Sequence, residues 1–201
     1  LIAERFFKNK PSVINRNQRR WTAKGVLPED ITAAYRDVLD GTPIDIQGAY
    51  LYKQPPEELR PHLEEVHEKF ERSIRLGVPP ILSLRSYVAR QSPGDSAPRW
   101  QALSHHFVVV TAVPKRLSKT AGGFEASIID PNGARLTSIF LHPEPNRMPF
   151  LAARSSRDED RWVSGYPFLT VSAPEVYSLT GKPPAWHERV VVVANYLTGR
   201  F

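Results

Sequence analysis

The chain has 201 residues, 41% hydrophobic, 10% aromatic and 24% charged, enough apolar material for the core of one ordinary domain, which excludes disorder as the main state. Its longest aliphatic run, Val190 to Val193, falls far short of the roughly 20 apolar residues of a membrane-spanning helix. With no cysteine there is no disulfide framework, no thiolate metal site and no cysteine nucleophile. The formal charge of +6 is concentrated at the front, where residues 1–24 hold seven bases (Arg5, Lys8, Lys10, Arg16, Arg19, Arg20, Lys24) against the single acid Glu4.

That basic stretch contains Trp21, so it could track a phosphate backbone with the indole as a stacking platform, making nucleic acid one candidate partner. It reads more readily as a solvated, arginine-rich helix end and loop, because no named nucleic-acid motif accompanies it. Leu1 to Phe7 has the pattern of the last turns of a buried helix, with Leu1, Ile2 and Phe6 on one side and Pro11 as the stop. Because Met148 is the only methionine, residues preceding Leu1 are expected, and targeting stays undetermined. A second helix is predicted from Pro28 to Leu39, with proline in its first turn, Glu29 and Asp30 at its positive end, and Ile31, Tyr35, Val38 and Leu39 as its apolar stripe. A third covers Pro56 to Leu76, with Leu59, Leu63, Val66, Phe70 and Ile74 at spacings of three and four, and Gly77 as its cap.

After Gly77 the period becomes that of strands. They are predicted at 79–87, 106–113, 124–130, 135–141, 166–173 and 189–197, with a short helix at Pro174 to Leu179 and a surface excursion from His142 to Trp162. Proline, at 19 of 201 residues, is about double its usual 5% share, which suits strands and fixed loops. Helices first and an antiparallel sheet after them is an α+β order.

The chemistry-bearing block is His105-His106-Phe107-Val108-Val109-Val110, a loop containing Gly122-Gly123, and then Phe124 to Asp130 followed by Pro131 and Gly133. It reads as a hairpin. Turning about Ser118, it sets His106 opposite Asp130, where Cβ atoms lie about 4.5–5.5 Å apart. A carboxylate there would fix the imidazole tautomer and stabilise the imidazolium formed when the histidine takes a proton. The same residues also describe an ordinary strand start beside an Asp-Pro turn, and a slip of one residue in register would put the two side chains on opposite faces.

The string His106 to Val110, the strand ending Ile129-Asp130-Pro131, and the upstream Gly77-Val78-Pro79-Pro80-Ile81-Leu82-Ser83-Leu84 resemble the core of papain-like cysteine peptidases of the bacterial C39-like group. The resemblance implies a single α+β domain over residues 1–201, with a helical part at 1–76 packed on an antiparallel sheet at 77–201 and a cleft between them. It implies that His106 is the catalytic base and Asp130 the residue that orients it. It further implies thiol-mediated acyl transfer or amide hydrolysis on a peptide or protein substrate, without cofactor or metal. The family's nucleophile and oxyanion-hole glutamine have no counterpart in the chain. A cysteine upstream of Leu1 would complete an enzyme, with the start of the opening helix beside His106; without one, the chain would be an inactive peptide-binding module.

Other residues point less far. His62, His67, His142 and His187 lack ligand spacing, and His105 and His106 must face opposite sides of a strand. Ser104 beside His105 lacks the Gly-x-Ser-x-Gly elbow of a serine hydrolase, and Gly122-Gly123 lies in a hairpin rather than between a strand and a helix, so it cradles no phosphate. Trp100, Trp162 and Trp186 read as loop residues that cover the core or line a groove.

Overall fold

The computed structural model describes residues 2–23, 25–52, 59–90, 99–144, 168–173 and 189–201. The expected helix at Pro174 to Leu179, most of the excursion from His142 to Trp162, Trp186, His187 and the position of Leu1 lie outside the described residues. A π-helical turn at Glu4–Lys8 is followed by the short strands β1 (Trp21–Thr22) and β2 (Gly25–Val26), helix α1 (Pro28–Val38), strand β3 (Gln47–Tyr50) and helix α2 (Leu59–Arg75). Six longer elements complete the chain: β4 (Ile81–Arg90), β5 (Arg99–Ala112), β6 (Phe124–Asp130), β7 (Arg135–Glu144), β8 (Phe168–Ser172) and β9 (Arg189–Gly199).

These strands close on themselves, which overturns the papain-like expectation. The hydrogen-bonded order β9-β4-β5-β6-β7-β8 returns to β9 through Leu169↔Ala194, Thr170↔Val193 and Val171↔Val192, giving a closed six-stranded antiparallel barrel. Beyond β8, the same edge of β9 takes up β3 from Tyr196 to Gly199. Among the described residues no helical half packs on a sheet. Closure is seen in the pairing itself, because β9 bonds β4 along one edge and β8 along the other. Burial of β4 and β9 on both faces shows that this wall is covered outside as well as filled inside. Irregularities at Ser83/Leu84, Ser86/Tyr87 and Val110/Ala112 supply the local bends that curvature requires.

Inside the barrel lie Leu82, Leu84, Val108, Val110, Ala126, Ile128, Ile139, Leu141, Leu169, Val171, Val192 and Ala194. Helix α2 joins this core through Leu63, Val66 and Phe70. It packs against β5, β7 and β9, which are alternate strands of the ring, so it must lie across one opening and stopper it. Gly77, with a φ of 75°, ends the helix as the sequence predicted. Ser73 Oγ then donates to Val78 O at 2.6 Å and accepts from Arg200 N at 2.9 Å, fastening the stopper to the end of β9. On the outer wall a second apolar cluster gathers Tyr52, Tyr87, Trp100, Phe168 and Val193; Trp100 covers the wall from within β5, not from a loop.

Two predicted helical faces are corrected. The opening residues are helical but not buried: Ile2 is 65% exposed and no residue of Glu4–Lys8 is buried. In α1 the stripe Ile31, Tyr35, Val38 and Leu39 is not the buried one; Pro28, Asp30, Thr32 and Ala34 are. The helix lies on a polar strip of the outer wall, where Thr32 Oγ1 and Thr198 Oγ1 hydrogen bond at 2.6 Å, so hydroxyl pairing determines which face turns inward.

Candidate functional site: a histidine and aspartate inside the barrel wall

Even-numbered residues of β5 from His106 to Val110 point into the barrel, and β6 sends in Phe124, Ala126, Ile128 and Asp130. The two strands pair as Val109↔Ile129 and Val110↔Ile128; one step further along that register stands Val108, not His106, opposite Asp130. The expected register is therefore off by two residues. A two-residue offset preserves the face, and diagonal neighbours about 7–8 Å apart remain within reach of long side chains. His106 Nε2 meets Asp130 Oδ1 at 2.8 Å.

The same oxygen accepts the backbone N–H of Asn132 at 2.8 Å, an Asx turn that holds the carboxyl where β6 ends. Beyond it, Gly133 at φ 89° and Ala134 at φ 51° turn the chain into β7. The pair is well shielded, with the His106 side chain 14% exposed and that of Asp130 7%. An ionised carboxylate can only accept, so Nε2 carries the proton, and in the neutral ring Nδ1 is left as the acceptor. No described residue bonds Nδ1. Nearby on the same face, Ser104 hydrogen bonds across the ladder to Ser86, hydroxyl to hydroxyl, and so adds polar wall beside the imidazole.

His105 projects to the other side, as strand alternation requires. Arg85 Nη1 lies 3.2 Å and 3.4 Å from its two ring nitrogens, and Asn195 Nδ2 lies 3.5 Å from its Nε2. Ser104 and His105 therefore face opposite sides of the wall and cannot react together. Among the remaining histidines, His67 gives Nε2 to Pro114 O at 2.7 Å, a structural bond beneath the stopper. No cluster of three or more His, Cys, Asp or Glu suited to a metal occurs among the described residues.

The basic opening segment is mostly exposed and is anchored to the protein chiefly through Arg20. Arg20 is 7% exposed and donates to Asp37 Oδ2 at 2.7 Å and Phe6 O at 3.0 Å, while Lys8 pairs with Glu4 and Lys10 with Asp37. Trp21, 46% exposed, stands edge-on to Phe7. No helix among the described residues is long and apolar enough to cross a membrane. No protein-family model, curated protein or solved structure matches this chain.

Proposed function

We propose that His106 and Asp130 form the proton-transfer pair of an enzyme acting on an acyl group, in an amide or ester substrate that approaches where β6 gives way to β7. The observation that carries this reading is the 2.8 Å bond from His106 Nε2 to a shielded carboxylate, with Nδ1 left to take a proton. An attacking O–H or S–H gives its proton to Nδ1, the imidazolium is held by Asp130, and the proton passes to the leaving amine or alkoxide. The 201 residues hold no thiol, and water is the nucleophile this pair would activate.

The test is turnover of a panel of 4-nitrophenyl esters and peptide anilides by the intact chain. His106→Asn and Asp130→Asn should each lower the rate about 10²- to 10⁴-fold, while His105→Asn, altered on the far side of the wall, leaves it within about twofold. Binding of the same peptides without turnover would overturn the enzymatic reading in favour of a peptide-binding module.

A further inference from the structure

Residues 7–21 fold back on themselves as a hairpin. Pro11 bridges to Arg19, the Ser12 N–H donates to Gln18 O at 2.9 Å and the Arg20 N–H to Lys10 O at 3.0 Å, and Phe7 and Trp21 meet edge to face at the open end. The tip is held by its own bonds. Ser12 Oγ accepts the N–H groups of Ile14 and Asn15, both at 3.2 Å, and the Gln18 N–H donates to Asn15 O at 2.9 Å. Two further contacts fasten the hairpin to α1: Arg20 with Asp37 at 2.7 Å, and the Val13 N–H with Asp30 Oδ1 at 2.8 Å.

Between Lys8 and Trp21, Ser12 and Arg20 are buried and every other residue is exposed. Ile2, Val13, Ile14 and Trp21 are four of the eight large hydrophobic side chains exposed among the described residues. Val13 and Ile14, 49% and 60% exposed, stand side by side at the tip. Single exposed aliphatics are ordinary; an adjacent pair on a held turn, with Arg16 two residues on, is not. The carboxylates that α1 turns toward the hairpin leave its outer charge uncancelled, because Asp30 is buried and Asp37 is taken by Arg20 and Lys10. Arg5, Arg16 and Arg19 have no ion-pair partner among the described residues.

This mixture selects the partner. A nucleic acid is held by bases and stacking rings and has no use for an aliphatic tip, and a second copy of this surface would set like charge against like. An anionic bilayer uses both parts, taking aliphatic side chains into the boundary between headgroups and acyl chains while bases stay at the headgroups.

We propose that the hairpin docks the protein on an anionic lipid surface, with Val13 and Ile14 entering the interface and Arg16 and Arg19 at the headgroups. The proposal is independent of the reading given to His106 and Asp130. Its test is cosedimentation of the intact chain with vesicles of equal parts phosphatidylcholine and phosphatidylserine, and with vesicles of phosphatidylcholine alone, at physiological salt. Because the chain has no cysteine, Ile14→Cys gives one site for a polarity-sensitive fluorophore, and Lys119→Cys, exposed in the β5–β6 loop, gives the control.

Binding to the anionic vesicles, weak binding to the neutral ones, and a blue shift on binding at position 14 but not at 119 are the expected results. The double variant Val13→Ser with Ile14→Ser should weaken binding about tenfold or more, and Arg16→Glu by about tenfold; all three positions are exposed, so the fold is kept. No binding to anionic vesicles, equal binding to neutral ones, no shift at position 14, or affinity unchanged in these variants would each overturn the proposal. Tighter binding of single-stranded RNA or duplex DNA, indifferent to the loss of Val13 and Ile14, would overturn it in favour of a nucleic-acid surface.

Discussion

His67 and His106, at opposite ends of the barrel, are treated differently: the first is buried, the second half-buried with its side chain 14% exposed. At the stoppered end, His67 of α2 bonds a backbone carbonyl and stands edge-on to Phe124, with ring centroids 5.1 Å apart. Both contacts are to groups that do not move protons. Where β6 ends, His106 bonds a carboxylate and keeps its second nitrogen uncommitted. The difference shows that burial of a polar ring does not mark function; what the ring is bonded to, and which nitrogen stays available, does.

The comparison breaks if the stoppered end is not where stability resides. Phe70 is fully buried, and Phe70→Ala should cost about 3–5 kcal/mol in urea unfolding, with turnover per folded molecule unchanged. A loss below about 1 kcal/mol would mean that α2 does not share the barrel's core. At the same end, a Cβ on Gly123 would run into the Leu141 carbonyl oxygen and the Phe140 ring; Gly123→Ala should therefore cost about 1–3 kcal/mol as overpacking, seen as a lower denaturation midpoint.

Exchanging the two histidines for leucine sharpens the contrast. His67→Leu leaves the Pro114 carbonyl without this bond and should cost about 1–3 kcal/mol with no effect on catalysis. His106→Leu leaves Asp130 its bond from Asn132 but takes one from a shielded carboxylate, so about 1.5–3 kcal/mol of stability is expected to go while turnover collapses. Equal stability losses with no catalytic difference would reduce both rings to structural parts.

The smallest effect expected belongs to neither end. Burial is the main cause that raises the Tyr196 phenol above its ordinary value of 10.0; Glu29 adds to it, while the Thr32 hydrogen bond and Arg36 oppose it. A phenol raised on folding contributes stability that is complete below pH 10 and is lost as pH climbs through the folded value. Tyr196→Phe should flatten that alkaline slope, measured as the unfolding midpoint against pH; an unchanged slope would assign it to other groups.

Local structure was largely legible. The apolar spacing of Leu63, Val66 and Phe70 found α2 and its buried side, Pro28 marked the start of α1, and alternation from Phe124 to Asp130 set β6 to the residue. Strand alternation also separated His105 from His106. What escaped was information that no single element carries. β3, four residues long, has little apolar pattern of its own and forms because β9 offers an edge. The true face of α1 depends on hydroxyls of a distant strand. Closure of the barrel rests on Leu169, Thr170 and Val171 meeting β9, a pairing that a run of strands leaves open, and the likeness of short strings to a helix-and-sheet protein filled that gap wrongly. The His106 and Asp130 pair came together despite the misplaced register because the error was even.

Strand β9 is the seam of the molecule, bonded to β4 along one edge and to β8 and β3 along the other. Residues 189–199 therefore find partners at 47–50 and 81–89, a hundred or more positions back along the chain. During synthesis β3, β4 and β8 must each wait with an edge unpaired until this segment emerges from the ribosome. Such distant pairing places the protein among slow folders, on the order of milliseconds to seconds, and makes the interval before the seam forms its period of greatest exposure to aggregation and chaperones. A substitution that weakens β9, such as Gly199→Val against Ser73 and Pro80, would accordingly register first as lost soluble yield, before any change in the chemistry at His106.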